Sequence, residues 1–381
     1  MTTDLFLGIL KVQLQLKGVI VDTDWDDMKN DIVIDFLKTK ENLMDIEEYT
    51  PQSTLVVPQK LLTKAKYPFV DVHSHFFDMP LRDLNKLTSE MDDLNMAFII
   101  NLSGFRGIFL DQSLENIRNN APNRIGLFVN IDFEDIDDPL FGESSAKFID
   151  SAASNGVMGL KVYKSLGLTS KDNKGNRIAV DDPRLDPVWK ACGDNNIPVL
   201  IHSGEPASFW MPKDRFNERW LELRQKPRRY RDPKKNPSFE EVLDEQHAVF
   251  KKHPNTTFIN AHLGWMGNDL DRLGNHLDNY PNVLTEIGAV LAELGRQPKR
   301  ARKFFVDYQD RILFGKDSYK PSEYYTYFRV LETDDEYFDY YRKRHAHWKM
   351  YGLALPDSVL KKVYFENALK IFPKLDKNLF K

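Results

Sequence analysis

Tyr67-Pro68-Phe69-Val70-Asp71-Val72-His73-Ser74-His75-Phe76-Phe77 is the stretch from which the rest of the chain is read. Phe69 to Val72 is a short apolar, β-branched run, the pattern of a buried strand, and it leads straight into two histidines one residue apart. Side chains alternate across a strand, so His73 and His75 project to one side, where the strand's end opens into a pocket. Two neutral imidazoles held that way are a ready pair of ligands for a borderline divalent metal such as zinc. Alone, a His-x-His is as often coincidence, and its weight depends on the other histidines and acids of the chain.

From Tyr67 onward, short apolar runs alternate with helix-length segments. Strands are expected near 69–73, 97–101, 126–131, 157–163, 198–202, 257–261, 283–287 and 312–315. Eight such runs imply parallel strands buried on both faces and an α/β fold of the (β/α)₈ TIM-barrel type. Val70, Val72, Ile99, Leu127, Val129, Leu200, Phe258 and Leu313 are expected in its core. Most of these strands end on a residue that binds metal or moves protons: His73 and His75, then Lys161, His202, His262 and Asp317. Their uneven spacing has no local explanation. A barrel supplies one, because the carboxyl ends of its strands converge on one face whatever the length of the intervening helices.

Composition bounds the rest. The chain has 381 residues, 41% hydrophobic and 29% charged, enough for a large core. A net charge of −4 gives no electrostatic footprint for nucleic acid or an anionic membrane. The single cysteine, Cys192, forms no internal disulfide, so any metal must rest on histidine and oxygen ligands. Leu5 to Leu10 is cut off by Lys11 and is too short for a signal core or a membrane span. The reading is a soluble, cytoplasmic protein. Residues 1–66, with apolar pieces at Val19-Ile20-Val21 and Ile32-Val33-Ile34, form an N-terminal accessory segment, and 67–381 the barrel domain.

Four ordered motifs carry a resemblance: Val70-Asp71-Val72-His73-Ser74-His75, Val199-Leu200-Ile201-His202, Asn260-Ala261-His262-Leu263-Gly264 and Arg311-Ile312-Leu313-Phe314-Gly315-Lys316-Asp317. Together they resemble the amidohydrolase superfamily, in its amidohydrolase-related branch with the aminocarboxymuconate-semialdehyde decarboxylase-like enzymes. Phe365 to Phe372 is similar to the family's closing helix, with Asn367 expected as its N-cap. The resemblance implies that His73, His75 and Asp317 hold one divalent ion, most simply Zn²⁺. His202 either completes that site or serves a second ion, and His262 is a catalytic acid/base or a second-metal ligand. Superfamily members with two metals use a lysine on the fourth strand, carboxylated so that its carbamate bridges both ions. Lys161 stands there, either as that carbamate or as an unmodified amine that binds a carboxylate.

The donor set dictates the chemistry. A divalent cation lowers the pKa of bound water from about 15.7 to about 7, and a carboxylate such as Asp317 beside that water takes its proton and passes it on. The expected function is hydrolysis of an amide, ester or lactone bond in a small molecule. A nonoxidative decarboxylase or lyase would use the same ligands, and a barrel that only binds its partner is the reading outside enzymes. The long insertion after the fifth strand, Glu205 to about Phe250, is expected to build the active-site rim or a homo-oligomer interface. Glu205, Trp210 and Arg296 are the candidate substrate contacts, and Lys164 a solvated or substrate-facing charge.

Overall fold

The computed structural model describes residues 3–17, 25, 44–45, 48–342, 345 and 348–381. The apolar pieces at 19–21 and 32–34 lie outside the described residues. The chain divides into two compact units, Met1–Thr54 and Leu55–Lys381. In the first, the helix Thr3–Leu16 buries Leu7 together with Trp25, against Leu10 and Leu14. Among the described residues no helix is long and apolar enough to cross a membrane.

The second unit begins earlier than residue 67, the start expected from sequence. Backbone hydrogen bonds tie residues 60–66 into it: Lys60 N donates to Asp335 Oδ2 at 2.6 Å, Ala65 N to Leu94 O at 3.1 Å, and Lys66 N to Glu332 Oε1 at 3.0 Å.

Eight parallel strands run in sequence order around the sheet: β1 (Phe69–Ser74), β2 (Met96–Asn101), β3 (Ile125–Asn130), β4 (Gly159–Val162), β5 (Val199–Ile201), β6 (Phe258–Asn260), β7 (Val283–Glu286) and β8 (Ile312–Leu313). Each pairs with its chain neighbour, and Val72 N donates to Phe314 O at 3.0 Å to bring the last strand back to the first. This is the expected TIM barrel. The eight apolar core residues named from sequence are all 2% exposed or less, because strands covered by helices outside and side chains inside have no wet face.

Val70, Val72, Phe98, Ile100, Phe128, Leu200, Ile259 and Leu313 fill the barrel interior, joined by Ala368, Phe372 and Leu375 of the C-terminal segment. Leu375 shares a cavity with Ile125 and Met158, at the starts of strands, so this segment seals the amino end. The carboxyl end stays open for the site. Asn367 is not an N-cap. It lies inside a helical run, with φ −69°, and its buried Nδ2 donates to Gln309 O at 2.7 Å and Ile312 O at 2.9 Å, pinning the closing helix to β8. The insertion after β5 is also shorter than expected, since Phe239–Lys252 is the barrel's own helix leading to β6, capped by Ser238.

In the outer helical layer, His247 and His276 pack ring to ring, with centroids 4.3 Å apart, and both nitrogens of His276 are buried without a hydrogen-bond partner. Burial, then His247, Arg311 and Arg272, pull the His276 pKa down to about 3. A histidine with a lowered folded pKa contributes full stability above its unfolded value of about 6.5 and loses it as pH falls from there toward 3. His276→Phe removes that demand. The variant should lose less melting temperature between pH 7 and pH 4.5 than the parent, and an equal loss would reject this pair as a source of acid lability.

Candidate active site

The end of β1 carries His73 and His75 into the open carboxyl face, and their partners fix which nitrogen is free. His73 Nδ1 lies 2.9 Å from Glu286 Oε1, at the end of β7. A carboxylate only accepts, so the proton sits on Nδ1 and the lone pair on Nε2. For His75 a relay does the same. Tyr163 Oη donates to Leu102 O, Ser103 Oγ donates to Tyr163 Oη at 2.9 Å, and His75 Nδ1 donates to Ser103 Oγ at 2.8 Å. The two Nε2 lone pairs then face each other at 3.3 Å with no proton between them.

Asp317 joins them from the loop after β8. Its Oδ1 is 3.4 Å from His73 Nε2 and 3.7 Å from His75 Nε2. His262 and His202 form a second pair, with Nε2 and Nδ1 3.3 Å apart, and His262 donates its Nδ1 proton to Gly288 O at 2.7 Å. Ligand atoms of His73, His262 and Asp317 all lie within 4.8 Å of one another. Lys161 is buried, and its Nζ has no hydrogen-bond partner.

The backbone is strained here. His262, Leu263, Gly264 and Trp265, one residue past the end of β6, have φ of 58°, 55°, 59° and 55°, a left-handed turn that costs about 1–2 kcal/mol per non-glycine residue. A Cβ on Gly264 would run into the Asn260 side-chain amide. The turn aims the His262 N–H at Glu286 Oε1, 2.7 Å away. Asp317 is also left-handed, at φ 84°, with its N–H on His73 O at 2.6 Å. Strain persists where surrounding structure over-determines it, and here it gathers at the histidine cluster.

Electrostatics set the protonation states. Burial, then Lys161, hold His73 well below the usual histidine range and His75 at about 4; burial, then His262 and Lys161, do the same to His202. Burial also lowers His262. All four are neutral at pH 7, with lone pairs available. Burial would raise Asp317, yet its pKa lies below the ordinary carboxylate range; with the histidines neutral, Arg342 is the lasting positive charge among its neighbours, and the carboxylate is ionised at pH 7.

A family model described as Amidohydrolase matches residues 70–374. The chain belongs to the amidohydrolase family. Solved structures agree on the fold: the 2,6-dihydroxybenzoate decarboxylase from Rhizobium superposes with a TM-score of 0.51 at 14% identity, covering 81% of this chain and 99% of that one. A dihydroxybenzoic acid decarboxylase from Polaromonas sp. JS666, with bound manganese and the inhibitor 2-nitroresorcinol, gives 0.50 at 12% identity, over 82% and 99%. No curated protein matches.

The donor atoms of this amidohydrolase fit a metal ion. A tetrahedral ion with bonds of about 2.0–2.2 Å holds its ligand atoms about 3.3–3.6 Å apart, close to the spacings within the His73, His75 and Asp317 set. Of the metal-site residues read from sequence, His73, His262 and Asp317 form one group, His75 meets His73 and His202 meets His262, and the charge of Lys161 acts on His73 and His202. The three candidate substrate contacts each have protein partners. Glu205 is buried, accepting from Lys164 Nζ at 2.6 Å and Arg231 Nη2 at 3.2 Å. Trp210 Nε1 donates to Pro237 O at 2.8 Å. Arg296 pairs with Glu218 at 2.9 Å and stacks on Trp348.

Sequence reading missed Glu286, the acid that ends β7 and orients both His73 and His262. Its signal was position alone, a carboxylate at a strand's carboxyl end. Gly288 N donates to its Oε2 at 2.5 Å, and burial raises its pKa against the pull of His262.

Proposed function

We propose that this amidohydrolase cleaves an amide, ester or lactone bond of a small molecule with a metal-activated water. The observation that carries the reading is the pair of opposed Nε2 lone pairs of His73 and His75 with the ionised Asp317 carboxylate 3.4 and 3.7 Å away. His73, His75, Asp317 and His202 would hold the ion, and three imidazoles with one carboxylate favour zinc. A divalent cation there supplies a Lewis acid and a water whose pKa falls to about 7.

The chain's own groups do the rest. Asp317 accepts the proton of that water on its carboxylate and returns it to the leaving group. Its low pKa makes it ionised before substrate arrives. Glu286 and Ser103 hold the imidazoles in the ligand tautomer, and the left-handed turn fixes His262 as an orienting acid/base or a second-ion ligand.

Lys161 separates this reading from a second one. Burial lowers its pKa to about 7 against the pull of Asp317 and Glu286, so a neutral amine is accessible. As a carbamate it would add oxygen ligands for two ions and favour hydrolysis. As an ammonium without a protein partner it would face a substrate carboxylate, as decarboxylation of an acid requires.

Elemental analysis of metal per chain should be paired with a screen that monitors acid release from lactones, esters and amides and carbon dioxide release from aromatic carboxylates. Acid release without carbon dioxide is expected. Carbon dioxide release alone would replace hydrolysis with decarboxylation, and tight metal without turnover would leave a binding protein.

A further inference from the structure

Beside Asp317 the structure opens a cavity of about 550 Å³, within the range that holds a small substrate. Asp317, Ser318, Tyr341 and Arg342 line one wall, and Glu222 and Arg229, from the insertion after β5, line the other. We infer that Arg342 anchors a carboxylate at the far end of the substrate from the bond that reacts. The inference rests on the reading of the Asp317 cluster as the reacting centre.

The charges around the cavity single out one residue. Glu222 is already matched: Arg219 Nη1 donates to it at 2.9 Å, and Arg229 pairs with it from the other side. Arg219 also holds Glu293 at 2.6 Å, so these four charges balance among themselves. Arg342 has no such match. Its Nη2 reaches only Ser318 Oγ, at 3.3 Å, and its guanidinium lies 5.5 Å from the Tyr341 ring. Among the described residues no carboxylate comes within ion-pairing distance of it.

Its chain neighbours cannot supply one either, since Tyr340 to Trp348 contains no acid. Asp317 acts on this charge from beyond ion-pairing distance, and among the described residues only Ser318 takes a hydrogen bond from it, so a half-buried guanidinium facing a cavity keeps donors for an anion from outside the chain. The planar fork of a guanidinium matches a carboxylate in two parallel hydrogen bonds. Among the described residues Asp317 is the only acid on that wall, and the ion it would serve would cancel its repulsion of an incoming carboxylate.

The test uses the metal-loaded protein and glutarate as the probe, measured by isothermal titration, with monomethyl glutaramide as the neutral control. Arg342→Gln should weaken glutarate binding roughly 10- to 100-fold, the worth of a charge-assisted hydrogen-bond pair. Arg342→Lys should fall between, because it keeps the charge and loses the fork. Metal content and melting temperature should match the parent in both, and the lysine variant decides the matter if the glutamine one does not fold. Once a substrate is found, Arg342→Gln should raise KM more than it lowers kcat.

Equal glutarate affinity in parent and both variants would overturn the anchor, as would a parent that binds the neutral control as well as glutarate or binds neither. These outcomes are independent of the hydrolase reading. An anchor that holds in a protein with no turnover fails only that reading, and turnover with no effect of Arg342 fails only the anchor.

Discussion

Asp317→Asn is expected to cut turnover by about two to four orders of magnitude, the usual worth of a positioned general base. The change is isosteric, so the backbone bond from Asp317 N to His73 O survives and the left-handed φ of 84° is tolerated as well by asparagine as by aspartate. What is lost is the charge and the basicity. Metal content should drop only in part, since His73, His75 and His202 keep their lone pairs. The measurement is kcat on the best substrate of the hydrolysis screen, alongside metal per chain. Near-normal turnover would remove the proton-transfer role from Asp317 and pass it to His262.

The pH dependence points the same way. The His73, His75, His202 and His262 pKa values are all lowered by burial, so these imidazoles stay unprotonated to lower pH than an ordinary histidine, His73 and His202 most of all. Protons compete poorly for the ligand nitrogens, and metal should be retained into mildly acidic solution.

The fold was legible because its signal is periodic. Each strand is a short apolar run, and a residue such as Val72 or Leu200, buried on both faces of the sheet, cannot be replaced by a polar one without leaving it unpaired. The histidine cluster was legible for a different reason, which is that histidine is scarce and falls at strand ends here with a regularity that helices do not produce. Glu286 was not legible. Glutamate is abundant, and nothing local distinguishes one that orients two histidines from one on a solvated face. Arg342 was hidden in the same way, because its meaning lies in the cavity it faces and in having, among the described residues, no carboxylate at ion-pairing distance. Glu205 and Arg296 show what sequence does not carry: charges near the barrel mouth look free in sequence, and the fold gives each an ion-pair partner.

Glu286→Gln tests the group that the sequence did not show. Glu286 Oε1 takes the Nδ1 proton of His73 and the backbone N–H of His262, while Oε2 takes the N–H of Gly288. A glutamine has one acceptor oxygen for these donors, and its NH₂ group must face one of them. If the amide oxygen takes the Oε2 place on the Gly288 N–H, the NH₂ group faces both the His262 N–H and His73, the His73 proton moves to Nε2, and its lone pair is lost from the side shared with Asp317 and His75. Losing such an outer carboxylate costs roughly 10- to 100-fold in metal affinity or activity. Glu286→Ala goes further, leaving three buried donors without a partner at about 1–3 kcal/mol each, so it should also lower the melting temperature. Gly315 sets the space for this carboxylate, since a Cβ there would strike Glu286 Oε2 and come within 3.0 Å of His73 Cβ. Competition against a chelator reads the metal affinity directly. If Glu286→Gln holds metal as tightly as the parent, the carboxylate fixes the fold around β7 and has no part in presenting His73 to an ion.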